Sequence, residues 1–323
     1  MRKVILSISA MLLVGATAVA QSNGSTVNQT GTANDATVAQ VGSLNNSVVT
    51  QKGSVSATSG QENVAVIAQT GINNGSDVMQ DGDFNHSDVT QLGDNNGATV
   101  IQGVGWAENN IAHATQTGDN NASTQEQYND NNNATAIQIG DENIATQWQN
   151  SAPDHAAGNL AIIGQTGDLN ISHQTQTGNS NSSDSYQNGD SNTINTTQLG
   201  DNNTAYAHQN SWYITDTYSP GDSNEIAQVQ TGDSNYSHVD QYYNADFNLA
   251  ETTQTGNGNS SKIYQSSDSN DAFSIQDGDS NQSYISQQIG DLNFAATTQT
   301  GDMHNSYVNQ DGASNISNVT QSN

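Results

Sequence analysis

A glutamine returns about every eleven residues along almost the whole chain, and no other feature constrains the fold as strongly. It stands at Gln29, Gln40 and Gln51, again at Gln69, Gln80, Gln91 and Gln102, and so on to Gln299, Gln310 and Gln321. The segment Asn85 to Asn95 shows one unit: Asn-x-(Ala/Ser)-x-x-x-Gln-x-Gly-x-x. A repeat of this kind is one small structural unit that cannot bury its apolar face alone and must stack on its neighbours. The spacing lengthens near 53–62, 103–109, 150–158 and 210–223, where the extra residues are assigned to enlarged turns. Both prolines of the chain, Pro153 and Pro220, fall there. That is where proline belongs, since it lacks the amide hydrogen a sheet ladder needs. Near Gln287 and Gln288 the repeat can be read in two registers one residue apart.

Between each Asn and the following Gln the residues alternate with period two, the mark of a β-strand with one buried face. The second residue of the unit is small (Ala36, Ser47, Ala65, Ser76, Ser87, Ala98) and the fourth is often apolar (Val38, Val49, Ile67, Val78, Val89, Val100). Asn, small, apolar and Gln therefore share the inward face. The amide-ladder candidates are Asn34, Asn45, Asn63, Asn74, Asn85, Asn96, Asn132, Asn170, Asn192, Asn270 and Asn315. Their glutamine partners are Gln40, Gln51, Gln69, Gln80, Gln91, Gln102, Gln138, Gln176, Gln198, Gln276 and Gln321. Stacked in register, each buried amide bonds to its equivalent one rung away, and a slipped register leaves it unpaired. The glycine two residues after Gln frees the backbone for a tight reversal, at Gly31, Gly42, Gly82, Gly93, Gly118, Gly140, Gly200, Gly278 and Gly312. Asn129 and Ser267 hold that position without glycine. Two strands and two turns, about 22 residues, make one rung, and rungs repeat every ~4.8 Å. The predicted fold class is all-β, a β-solenoid of stacked strand-turn-strand rungs.

Composition by itself argues for disorder, with 32% hydrophobic residues and a formal net charge of −28. The period overrides it, because in-register stacking gives thin strands a shared core. Residues 1–20 read as a secretory signal peptide: Arg2 and Lys3, an apolar run from Val4 to Val14, and Ala18-Val19-Ala20 before the first mature residue, Gln21. The remainder, 21–323, reads as a single solenoid domain. It contains no cysteine, so no disulfide supports it. Lys52 and Lys262 are its only basic residues, against 32 acidic ones. Nucleic acid and anionic membrane surfaces are disfavoured as partners, and no mature segment is apolar enough to span a bilayer.

No catalytic or cofactor motif emerges. The seven histidines form no ligand cluster in the sequence, and no Walker loop, G-x-S-x-G elbow or H-E-x-x-H occurs. No cofactor and no enzymatic activity are expected. Turn aspartates recur, among them Asp94, Asp119, Asp141, Asp201 and Asp233. Ordinary turn preference explains them; the sharper reading is that stacked carboxylates repel and that calcium or acid promotes assembly by neutralising them. Outward tyrosines such as Tyr206, Tyr236, Tyr284 and Tyr307 fit strand preference.

The unit resembles the repeat of curlin, the subunit family of curli amyloid fibres. The segments Asn34-Asp35-Ala36 to Gln40-Val41-Gly42, Asn132 to Gln138-Ile139-Gly140 and Asn192 to Gln198-Leu199-Gly200 carry the likeness, which extends over nearly all the chain after Ala20. The resemblance implies a solenoid that polymerises end to end into extracellular fibres supporting adhesion and biofilm matrix. It also implies a nucleating subunit and a dedicated export pore with its chaperones as partners. One departure is that repeats begin almost directly after Gln21, without a glycine-rich export segment. Full strands near both termini predict uncapped ends, which favour head-to-tail filaments. The alternative is a monomeric secreted solenoid acting as an adhesin or other surface-binding protein, with the long loops as its contact points.

Overall fold

A computed structural model describes residues 22–53, 62–152, 156–210, 221–242 and 245–323, with the backbone only at 104–106. The expected signal peptide, the centre of the 53–62 insertion and residues 211–220 lie outside the described residues. Among the described residues the fold is all-β, with 25 strands in two sheets of 13 and 12. Successive strands alternate between the sheets, and every pairing within a sheet is parallel. The chain thus coils as a β-solenoid, each strand lying on the one two before it. No described helix is long and apolar enough to cross a membrane.

Register follows the repeat. Gln29 pairs with Gln51, Gln51 with Gln80 and Gln80 with Gln102, and small residues face small residues along the same columns. The plain step between stacked glutamines is 22 residues, but it is 29 from Gln40 to Gln69 and 32 from Gln198 to Gln230. Insertions lengthen turns and leave the ladder untouched. The 103–109 segment departs from its assignment as an enlarged turn. The strand Gly97–Glu108 pairs Gln102 with Gln80, then rejoins the same neighbour at Ala107 opposite Gly82. The extra residues are a bulge inside the strand, because Ala107 and Glu108 recover ladder bonds that a free loop would forfeit. At the ambiguous pair, Gln287 takes the ladder position and the extra residue, Gln288, falls at a register shift.

Inward residues are buried at alternate positions in nearly every strand, as in Ile111–Thr117 and Thr193–Leu199. The apolar part of this interior forms three separate clusters. One gathers Val49, Ile67, Val78, Val89 and Val100; a small one holds Ala136, Ala145 and Ile163; the third runs from Ile194 to Val308. Between them the apolar column is replaced by Gln125, Gln147 and Gln174, all buried. The core is thin everywhere, and near the middle of the stack it is largely amide.

Candidate functional site

The glutamine side chains form two unbroken columns, one per sheet. In the first, Gln51, Gln80, Gln102, Gln176, Gln198, Gln276 and Gln321 take their places; Gln51 Nε2 donates to Gln80 Oε1 at 2.8 Å and Gln299 to Gln321 at 2.9 Å. The second carries Gln40, Gln69, Gln91 and Gln138, with Gln40 donating to Gln69 at 2.7 Å and Gln138 to Gln165 at 2.9 Å. The remaining amide hydrogen crosses to the facing sheet: Gln91 Nε2 meets Gly75 O, and Gln138 Nε2 meets Ala122 O at 3.0 Å. A single residue type thus links rungs and staples sheets. Every ladder bond has the same polarity, donor toward the C-terminal rung.

The asparagines work differently. Asn45, Asn74, Asn96, Asn170, Asn192, Asn270 and Asn315 line one turn edge, and Asn34, Asn63, Asn85 and Asn132 line the other. Except at Asn315, on the last rung, each Oδ1 accepts the backbone N–H of the asparagine one rung on, as Asn96 N–H to Asn74 Oδ1 at 3.0 Å. Many Nδ2 groups then reach the turn carbonyl of the next rung, as Asn96 to Gly118 O at 2.8 Å. The ladder therefore runs through backbone amides, with direct amide-to-amide bonds secondary, as Asn110 Nδ2 to Asn85 Oδ1 at 3.1 Å. His304 stands in the asparagine place on one rung, its N–H bonded to Asn281 Oδ1.

The turn glycines Gly31, Gly42, Gly82, Gly93, Gly118, Gly140, Gly200, Gly278 and Gly312 all have positive φ. At Gly93 and Gly118 a second restriction applies: a Cβ would overlap the carbonyl oxygen of the glycine stacked on the next rung. Asn129 adopts φ 62° in place of glycine. At Ser267 the hydroxyl instead contacts Gln288 O, at 3.3 Å. A second left-handed residue precedes nearly every ladder asparagine, Gly158 before Asn159 being an exception. Asn95 and Asn120 fill that place easily, but Leu44, Phe84, Leu169 and Phe247 fill it too. Sequence pattern did not reveal this position, because its residues share no chemistry.

The turn aspartates divide between two edges. Asp94, Asp119 and Asp141 stack on one, and Asp201 and Asp233 on the other. Each accepts a backbone N–H from the preceding rung, as Asp94 N–H to Asp119 Oδ1 at 2.7 Å and Asp201 N–H to Asp233 Oδ1 at 2.8 Å. These bonds give the carboxylates a structural task that partly offsets their mutual repulsion.

Among the described residues, no further rung covers the ladders at either end of the stack. The strand Gly24–Thr30 buries no residue, and Ile316–Ser322 none either. Among the described residues nothing donates to Gln29 or Gln40 Oε1. Gln310 and Gln321 use one amide hydrogen each, to Phe294 O and Asn305 O, both at 2.9 Å. One end thus presents acceptors and the other donors, in the same two columns.

The outer face of the 12-stranded sheet carries the most distinctive side chains. Tyr186, Tyr206, Tyr236, Tyr264, Tyr284 and Tyr307 run along its C-terminal half, interleaved with His208 and His238. The Tyr284 and Tyr307 rings stack at 4.9 Å with 5° between their planes. Burial, with Asp240 and neighbouring tyrosines, pushes the Tyr264 hydroxyl up to about 12. Burial also raises the Asp184 carboxyl, against the lowering effect of His208 and Tyr186. Two His–Asp–His groupings lie on this face. His86 and His113 approach Asp88 at 3.0 and 3.2 Å, with all three side chains about two-fifths exposed. His208 and His238 approach Asp240 at 3.0 Å each, with side chains only 21–25% exposed.

Models of known protein families do not match the chain, and the search of curated proteins finds no significant match.

Proposed function

We propose that the chain is a structural subunit that adds end to end to copies of itself, continuing both sheets into an extracellular fibre of the curli type. The observation that carries this reading is the matched polarity of the open ends. Donors on Gln310 and Gln321 face the same way as the ladder above them, and the acceptors on Gln29 and Gln40 complete the same two columns. Joining such ends buries four strand edges and two inward faces at once, and a head-to-tail contact of this kind does not close. Head-to-head contact would set donors against donors. The repeat resemblance to curlin supports the same role, in adhesion and biofilm matrix. The outer surface is suited to it: strongly acidic turns keep fibres from collapsing on each other.

The test is incubation of residues 21–323 followed by electron microscopy and fibre diffraction. Filaments with a meridional spacing of ~4.7–4.8 Å are expected. Replacing Gln321 and Gln310 by glutamate should slow elongation at neutral pH, since an ionised carboxylate supplies no donor. A β-rich monomer that stays monomeric overturns the fibre reading and leaves a surface-binding solenoid.

A further inference from the structure

Among the described residues, three side chains with metal-ligand chemistry converge at one place, on the outer face of the 12-stranded sheet. His238 and Asp240 stand two residues apart on the strand Tyr236–Gln241, so both point outward. His208, on the strand Thr204–Gln209, is the register partner of Asp240. The i, i+2 pair and the cross-strand neighbour make a triangle whose ligand atoms all lie within 4.8 Å of one another.

The contacts inside this triangle are close. His208 Nδ1 stands 3.0 Å from Asp240 Oδ1, and His238 Nε2 stands 3.0 Å from Oδ2. Asp240 Oδ1, His238 Nε2 and His208 Nε2 are shut off from solvent, and beyond the two ion-pair contacts His208 Nε2 has no hydrogen-bond partner. A buried imidazole nitrogen left this way is costly. Tyr206 and Tyr264 wall the group in: His238 lies 5.7 Å from the Tyr206 ring and 5.6 Å from the Tyr264 ring, centre to centre. The Tyr236 hydroxyl sits 3.3 Å from His238 Nδ1. When Nδ1 carries the proton and donates to that oxygen, Nε2 presents its lone pair toward Asp240. Outer-shell partners commonly orient ligating imidazoles in this way. Lys262, the register partner of His238, holds its ammonium over the Tyr236 ring at 5.7 Å.

We propose that His208, His238 and Asp240 form a binding site for a divalent transition-metal ion of the zinc class. Two imidazole nitrogens and one carboxylate oxygen match the donor preference of that class, and an open coordination position remains for water or an external ligand. Ligand-to-metal distances of ~2.0–2.2 Å require only small side-chain adjustments from the present spacing. The more exposed group of His86, Asp88 and His113 lacks the aromatic walls and serves as the internal comparison. Occupation would pin the neighbouring strands Thr204–Gln209 and Tyr236–Gln241 together across the 211–220 insertion.

The experiment is calorimetric titration of residues 21–323 with zinc chloride in a chelator-free buffer, repeated with cobalt(II) to follow its visible absorption. One saturable zinc site is expected. Its affinity should fall at least ~10-fold in Asp240→Asn and in His208→Ala, and stay unchanged in His113→Ala. Asp240→Asn keeps shape and packing, so unchanged far-ultraviolet dichroism separates lost ligation from lost folding. Absence of a saturable site, or equal zinc affinity in the wild type, Asp240→Asn and His208→Ala, overturns the proposal. Equal affinity would assign the binding to the turn carboxylates.

Discussion

Gln116 Nε2 donates to Gln138 Oε1 at 2.9 Å, although 22 residues separate them, and also to Gly97 O on the facing sheet at 3.0 Å. Both hydrogens of one amide are spent, one along the stack and one across it. In a chain with few large apolar residues, this double use makes the glutamine columns the main determinant of register. The bonds are worth roughly 1 kcal/mol each net, but an interior break strands partners that water cannot reach.

Gln138→Ala should therefore be severe. It leaves the Gln116 donor and the Gln165 acceptor unmatched, removes the bond to Ala122 O, and opens a cavity besides. A loss of about 3–5 kcal/mol is expected, read as a lower denaturation midpoint by circular dichroism. Gln321→Ala, at the open end, should cost a small fraction of that.

The small inward position contains serines whose hydroxyls have no partner, including Ser172 and Ser261, each fully buried. Ser261→Ala removes an unsatisfied polar group without changing the packing of its register partners Ser237 and Ser283. It should raise stability by about 1 kcal/mol. Ser151→Ala should do the reverse, because that hydroxyl donates to Asp130 O at 2.7 Å and accepts from Asn132. Thermal melts of the two variants give shifts of opposite sign.

Leu169 holds φ 60° with its side chain half exposed. Left-handed backbone costs a branched apolar residue on the order of 1–2 kcal/mol, and asparagine tolerates it better. Leu169→Asn should recover on the order of 1 kcal/mol and raise the melting temperature. An unchanged or lower melting temperature would show that the leucine makes a contact worth more than its backbone strain.

Asp271 lies in register between Leu249 and Phe294, and burial raises its carboxyl above the usual range. Folding then favours the protonated form. The associated stability is complete below the ordinary carboxylate pKa and is lost as pH rises through the higher folded value. Asp271→Asn removes that loss, so the variant should melt higher than the wild type at pH 7 and level with it near pH 3. Melting curves at the two pH values check both limits.

The architecture was readable because the repeat states each local rule some two dozen times. Asn and Gln on one face, a small residue between them and glycine at the reversal are short-range facts, and each appears at fixed offsets from Gln91 or Gln138. The bulge after Gln102 was not readable, since the same residues fit an enlarged turn until Ala107 and Glu108 find pairing partners. The left-handed place of Leu169 was hidden for another reason: Asn, Ser, Leu and Phe all occupy it, so no residue type signals its backbone. The buried Gln125, Gln147 and Gln174 stand where the pattern favoured Val or Ile, and they form a short third amide column, bonded at 2.9 and 3.1 Å.

By itself, then, the sequence determined the strand, the turn, the inward face and the solenoid, because period and side-chain chemistry act within eleven residues. Only the tertiary structure decided which distant residues meet. His208 and Asp240 are 32 residues apart, and the insertion between their strands leaves no spacing that a motif could record. They become neighbours because the glutamine columns hold Gln209 on Gln241 whatever the length of the chain between them. The ladder sets the register, and the register places every outward side chain beside partners that the linear chain does not reveal.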